Sequence, residues 1–138
     1  MLRSWLFALA AVSLGAQAQT KWDMPTPYSV GEFHTRNVKQ FVEEAQKAAG
    51  GKLEIVVHSN GSLIKHPDIL RAVSTGQVNI AEFLLGQFGN EDPVFAADNL
   101  PFVAAGYDAA WKFYQAQKPE LEKSLGKRGL KLLYSVAW

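Results

Sequence analysis

A chain of 138 residues with 14 Lys and Arg against 13 Asp and Glu carries a formal charge of +1, and the two signs are interleaved rather than clustered. That leaves no electrostatic footprint for nucleic acid. The lack of Cys excludes disulfides, thiolate chemistry and a lipid-bearing cysteine, and an exported protein without disulfides suits a bacterial periplasm.

Arg3 is followed by the uncharged run from Trp5 to Leu14 and then by Ala16-Gln17-Ala18. This is the plan of a secretory signal peptide over residues 1–18, cleaved between Ala18 and Gln19. The run falls short of the roughly 20 apolar residues that a spanning helix needs. The remainder, about 120 residues, is enough for one small domain with its own core.

Gln19 to Met24 is a short candidate strand closed by Pro25-Thr26-Pro27. A helix is expected from Ser29, where Ser29-Val30-Gly31-Glu32 has the S-x-x-E spacing of a capping box. Val38, Phe41, Val42 and Ala45 then fall on one helical face, and Gly50-Gly51 ends the element. Lys52 to His58 (KLEIVVH) is β-branched and apolar, a buried strand. A second helix begins near His66-Pro67-Asp68, with Pro in the first turn and an acid behind it. It turns Ile69, Leu70 and Val73 inward and stops at Gly76.

Val78 to Leu85 (VNIAEFLL) is a third strand candidate, interrupted by Glu82. After an irregular stretch, a third helix runs from Tyr107 to about Gln117, with Trp111 and Tyr114 as a core stripe. Pro119 should restart it as a short helix to Gly126. Gly129 to Trp138 (GLKLLYSVAW) is the expected terminal strand. Strand and helix alternate throughout, which is the pattern of an α/β domain with a mainly parallel sheet and crossover helices.

Catalytic signatures are weak. His34, His58 and His66 lack the spacing that puts two metal ligands on one face. Ser59, His58 and Asp68 have triad residue types but no G-x-S-x-G elbow. No phosphate-cradling glycine motif occurs, and no cofactor is implied. Asn60-Gly61-Ser62 matches a glycosylation acceptor, which a bacterial export signal makes irrelevant.

Position is more informative. In an open parallel sheet, ligands bind beyond the carboxyl ends of the strands, and two of those ends lead into helix N-termini that favour an anion. Tyr28, Ser59, Asn60, Glu82, Gln87 and Trp138 would ring that edge. Tyr28 and Trp138 offer apolar walls with a polar handle, and Asn60 a directional hydrogen bond. Glu82 stands in an apolar strand, where an unpaired carboxylate costs several kcal/mol. It therefore faces solvent or has a partner, either a bound amine or hydroxyl or a Lys or Arg of the fold. The candidate ligand-binding residues are therefore Tyr28, Asn60, Glu82 and Trp138.

The ordered series G-G-K-L-E-I-V-V-H-S-N-G-S-L, I-L-R-A-V-S-T-G-Q-V-N-I-A-E, D-N-L-P-F-V and G-L-K-L-L resembles the N-terminal part of periplasmic solute-binding proteins of tripartite ATP-independent (TRAP) transporters. The marks are Asn60-Gly61-Ser62-Leu63, Val73-Ser74-Thr75-Gly76 and Leu100-Pro101-Phe102. The resemblance implies a periplasmic-binding-protein-like, type II-like lobe, incomplete here, with residues 19–138 as the N-terminal lobe of a two-lobed protein. It implies capture of a small organic anion, a carboxylate, for delivery to the membrane permease subunits of the transporter. The arginine that clamps the ligand carboxylate in that family follows the strand resembling GLKLLYSVAW. Arg36, Arg71 and Arg128 do not match it. The alternatives are a truncated, non-binding fragment and an exported α/β enzyme without a recognisable catalytic motif.

Overall fold

The computed structural model describes residues 19–137; the expected signal peptide and Trp138 lie outside the described residues. Strand β1 (Thr20–Pro25) and strand β2 (Leu53–His58) pair in parallel, with Trp22 opposite Ile55 and Met24 opposite Val57. Parallel strands need a crossover between them, and helix α1 (Phe33–Ala48) provides it. Val38 and Val42 are buried on one face of α1, with Phe41 and Ala45 packed beside them against Met24, Ile55 and Ile80. Gly50 and Gly51 both take positive φ, at 58° and 81°, a backbone region where a Cβ is strained, and the chain turns there into β2.

Helix α1 has Glu32 at its N-cap, three residues later than the Ser29 cap that its capping signal implies. Ser29 and Glu32 instead close a turn ahead of it, with the Glu32 N–H donating to the Ser29 carbonyl at 3.1 Å. The Ser29 N–H donates to Glu32 Oε1 at 3.4 Å, so only the glutamate half of the box forms, and the first helical bond runs from Arg36 N–H to the Glu32 carbonyl.

Helix α2 (His66–Ser74) has Pro67 in its first turn and Asp68 behind it, as the sequence signals require. Its Ile69 and Ala72 pack with Ile64 and Val78. Leu70 joins a separate cluster with Phe88, Phe95, Leu121 and Leu125. Two 3-10 segments, Leu85–Phe88 and Pro93–Asn99, follow. They pack closely enough that a Cβ on Gly89 would lie 2.6 Å from the Ala96 Cβ.

Helix α3 (Tyr107–Gly126) is one continuous helix with Pro119 inside it, not two pieces. Proline removes one backbone hydrogen bond, but Leu121 and Leu125 just beyond it are buried against Leu70 and Phe95, and that packing carries the helix on. Trp111 is an exposed residue, so the expected Trp111–Tyr114 core stripe is corrected: only Tyr114 packs against the core.

Two expected strands are also corrected. Residues 78–85 lie alongside β1 and alternate at first, with Val78 and Ile80 buried and Asn79 exposed. They share one backbone bond with that strand, from Glu82 N–H to the Pro25 carbonyl at 3.1 Å, and then coil into the first 3-10 segment. Residues 131–137 also alternate between exposed and half-buried without forming a ladder among the described residues. A strand requires successive bonds to a neighbour, and apolar alternation alone does not supply one. No helix among the described residues is long and apolar enough to cross a membrane.

Candidate functional site

The carboxyl ends of β1 and β2 are tied together by backbone. Thr26 donates its N–H to the His58 carbonyl at 2.9 Å and accepts from Gly61 N–H at 3.0 Å, while Tyr28 accepts from Asn60 N–H at 2.8 Å. Asn60 reaches that position with φ at 59°, a left-handed conformation that Asn tolerates better than most residues. Its side chain is exposed.

Thr26, fully buried, places Glu82. Its hydroxyl donates to Glu82 Oε2 at 2.5 Å and lies 3.4 Å from the Tyr28 N–H. The Thr26 bond meets one carboxylate oxygen, and among the described residues neither a lysine nor an arginine pairs with Glu82. Burial raises the Glu82 carboxyl pKa, the Thr26 hydroxyl partly opposes the shift, and the Glu32 charge adds to it. Removing a carboxylate from water disfavours its charged form.

Two tyrosines, Tyr28 and Tyr134, lie within electrostatic reach of this carboxylate. Tyr28 stacks on buried His34 at a centroid distance of 4.9 Å and meets His66 edge-on at 6.3 Å. Burial pushes the Tyr28 phenol well above its usual range, and Glu82 and Glu32 add to the effect. The phenol is therefore a neutral O–H at physiological pH. Tyr134 stacks on Phe41 at 5.1 Å, and its phenol is raised by burial and then by Glu82.

His66 and Tyr134 were not among the expected site residues. The His66 ring is held by the Leu84 carbonyl, and burial lowers its pKa against that bond. Its Nε2 is buried without a hydrogen-bond partner among the described residues, as is the Tyr134 hydroxyl. Buried polar atoms are normally paired, and Thr35 Oγ1 is a third such atom among the described residues. The sequence signal for His66 is its place as the first residue of α2. Tyr134 had no local signal, because only the path of the last segment brings it to Phe41.

The expected residues separate. Tyr28 and Glu82 come together, Asn60 closes the adjoining turn through its backbone, and Trp138 lies outside the described residues. Gln87 lines another hollow of about 290 Å³ with Pro67, Phe88, Asn90 and Glu91. The triad residue types do not converge: His58 Nε2 pairs with Asp23 at 2.7 Å, and Asp68 with Arg71 at 3.1 Å. No group of three or more metal-ligating side chains occurs among the described residues. The arginines are engaged elsewhere. Arg36 donates to the Gly31 carbonyl at 2.6 Å, and Arg128 donates to Ser124 and lies over the Phe95 ring.

What the edge offers chemically is a carboxylate acceptor, an imidazole nitrogen and two neutral phenols on a rigid parallel pair. Such a set has the directional hydrogen-bonding groups that suit a small polar molecule. The chain is 55% identical to DctP6, an extracytoplasmic solute receptor of Bordetella pertussis that binds pyroglutamic acid, with a TM-score of 0.85 over 86% of this chain and 40% of that one. It is 40% identical to a TRAP solute-binding protein from a marine metagenome, specific for pyroglutamate and solved with that ligand co-purified, with a TM-score of 0.82 over 84% of this chain and 38% of the other. DctP7 of Bordetella pertussis, another receptor binding pyroglutamic acid, is 39% identical, with a TM-score of 0.81 over 83% and 38%. The chain thus spans about 40% of the length of these relatives. Residues 28–138 match the DctP model for bacterial extracellular solute-binding proteins, family 7; with its sheet edge and these likenesses, the chain belongs to that family.

Proposed function

We propose that the full-length protein captures a small carboxylate at the carboxyl edge of the β1–β2 sheet and delivers it to the membrane permease subunits of a TRAP transporter. The observation that carries this reading is the convergence of Tyr28, Glu82, His66 and Tyr134 at that edge, two of them with orphaned polar atoms, in a chain 55% identical to a pyroglutamate receptor. Pyroglutamate is the first candidate ligand.

In this reading residues 19–138 form the first of two lobes, residues 1–18 are the export signal, and the site is periplasmic. Tyr28, Asn60, Glu82 and Trp138 contribute to one wall of the cleft, joined by His66 and Tyr134. That this chain spans only about 40% of its relatives' length supports a cleft completed by a second lobe, with closure expelling water. The arginine clamp that the family resemblance implies would stand on that second wall; Arg36, Arg71 and Arg128 have other partners.

The test is calorimetric titration of the full-length protein with pyroglutamate, malonate, glucuronate and galacturonate. Saturable one-to-one binding of pyroglutamate is expected. Absence of saturable binding by every one of these acids would sink the reading.

A further inference from the structure

Asn60 and Gly61 both take positive φ, at 59° and 58°, and the Ser62 N–H donates to the Ser59 carbonyl at 3.1 Å. Such a two-residue turn needs the left-handed region at both central positions, and Asn-Gly is the pair that meets that need best. Asn60 is also the only asparagine of the 138 residues with a glycine after it. Because glycine has no side chain, its backbone nitrogen can approach the asparagine amide closely, and this dipeptide is the one most prone to deamidation. The turn thus requires a pair that is chemically short-lived.

The geometry of the turn opposes that reaction. Ring closure needs the Gly61 nitrogen beside the side-chain carbon of Asn60, and in the left-handed region it is turned away from the Asn60 Cβ. The Gly61 N–H is committed to the Thr26 carbonyl at 3.0 Å, and the Asn60 N–H to the Tyr28 carbonyl at 2.8 Å. The Asn60 side chain itself is exposed, so water and base reach it. What the closed turn withholds is the nucleophile, which swings round only after the bond to Thr26 has broken.

We propose that Asn60 is a site of spontaneous modification gated by opening of this turn. In the open turn the Gly61 nitrogen loses its proton to base and forms a bond to Asn60 Cγ. The Cγ–Nδ2 bond breaks and ammonia leaves, which gives a succinimide. Water then opens the ring at either carbonyl, to aspartate or to isoaspartate. The net change is uptake of water and loss of ammonia. Isoaspartate routes the main chain through Cβ and so inserts an atom between the nitrogen of residue 60 and that of Gly61. The two N–H groups then no longer match the Tyr28 and Thr26 carbonyls together, and the closed turn does not re-form. Thr26 also holds Glu82, so the change loosens the sheet edge whatever that edge binds.

The experiment ages the full-length protein in mildly alkaline buffer, folded and in urea. Peptide mass spectrometry follows Asn60, with fragmentation that separates aspartate from isoaspartate. In urea Asn60 should convert ahead of Asn37, Asn79, Asn90 and Asn99. In the folded protein it should convert at least about tenfold more slowly, because only the open fraction reacts. The isoaspartate fraction should unfold at a lower temperature than unmodified protein. Asn60→Asp adds the same charge without lengthening the chain and tolerates the left-handed region, so it should unfold close to the parent temperature. Equal conversion rates with and without urea overturn the gating, and another of these asparagines converting first in urea overturns the assignment. An isoaspartate form that unfolds at the parent temperature overturns the structural consequence, as does Asn60→Asp falling as far as that form.

Discussion

Two apolar stretches of this protein have opposite fates. Around the β1–α1–β2 crossover, Met24 and Val38 are 2% and 1% exposed, and their neighbours interlock into one cluster. In the stretch from Leu100 to Trp111, the side chains are just as apolar, yet Leu100 and Trp111 are each 58% exposed and Phe102 is fully exposed. Phe102 also takes φ at 66°, a left-handed conformation that costs roughly 1–2 kcal/mol for a residue with a Cβ. Burial is a relation between surfaces. The first stretch brings its own partner, because a parallel pair and its crossover helix cover each other. The second meets no covering surface among the described residues.

The sharpest way to break that contrast is to truncate one residue of each kind in the full-length protein and follow urea unfolding. Met24→Ala should cost about 2–5 kcal/mol, the loss of transfer energy plus a cavity. A cost under about 1 kcal/mol would mean that the crossover cluster is not the core it resembles.

Glu82 gives an intermediate effect, visible as a slope against pH. Burial raises its folded pKa above the unfolded value, so the folded state holds the proton more tightly. Stability contributed this way is full below the ordinary carboxyl range and is lost as pH rises through the folded value. Glu82→Gln keeps an oxygen for the Thr26 hydroxyl and removes the titration. Its unfolding free energy should therefore fall less between acid and neutral pH than that of the parent protein. Parallel pH curves for the two proteins would show that Glu82 is well solvated.

The smallest effect should come from Phe102→Gly. Glycine accepts φ near 66° without strain, and little buried surface is lost, so stability should shift by no more than about 0.5 kcal/mol. A loss above about 2 kcal/mol in the full-length protein would mean that a further surface covers Phe102, and the contrast between the two stretches would vanish.

These tests also separate what could be read locally from what could not. The face of α1 through Val38 and Val42, its end at Gly50-Gly51, the start of α2 at Pro67 and Asp68, and both paired strands follow from periodicity and from residues with special φ requirements. Each is decided within one or two turns of chain, so the residues themselves carry it. Glu82 was legible as well, because a carboxylate inside an apolar run stands out wherever it lies.

The alternation in VNIAEFLL and KLLYSVA was equally legible, but a ladder exists only if another strand lies alongside. Helix α3 passes through Pro119 because Leu121 and Leu125 find Leu70 and Phe95, which are far away in sequence. The candidate site shows the same division. Tyr28 and Glu82 could be chosen from residue type and position at strand ends. His66 and Tyr134 entered only when folding placed one beside Tyr28 and the other on Phe41. Sequence by itself determined the elements whose hydrogen bonds and caps are local. Tertiary structure decided which surfaces were covered and which polar atoms were buried without a partner, because both depend on neighbours that local sequence does not specify.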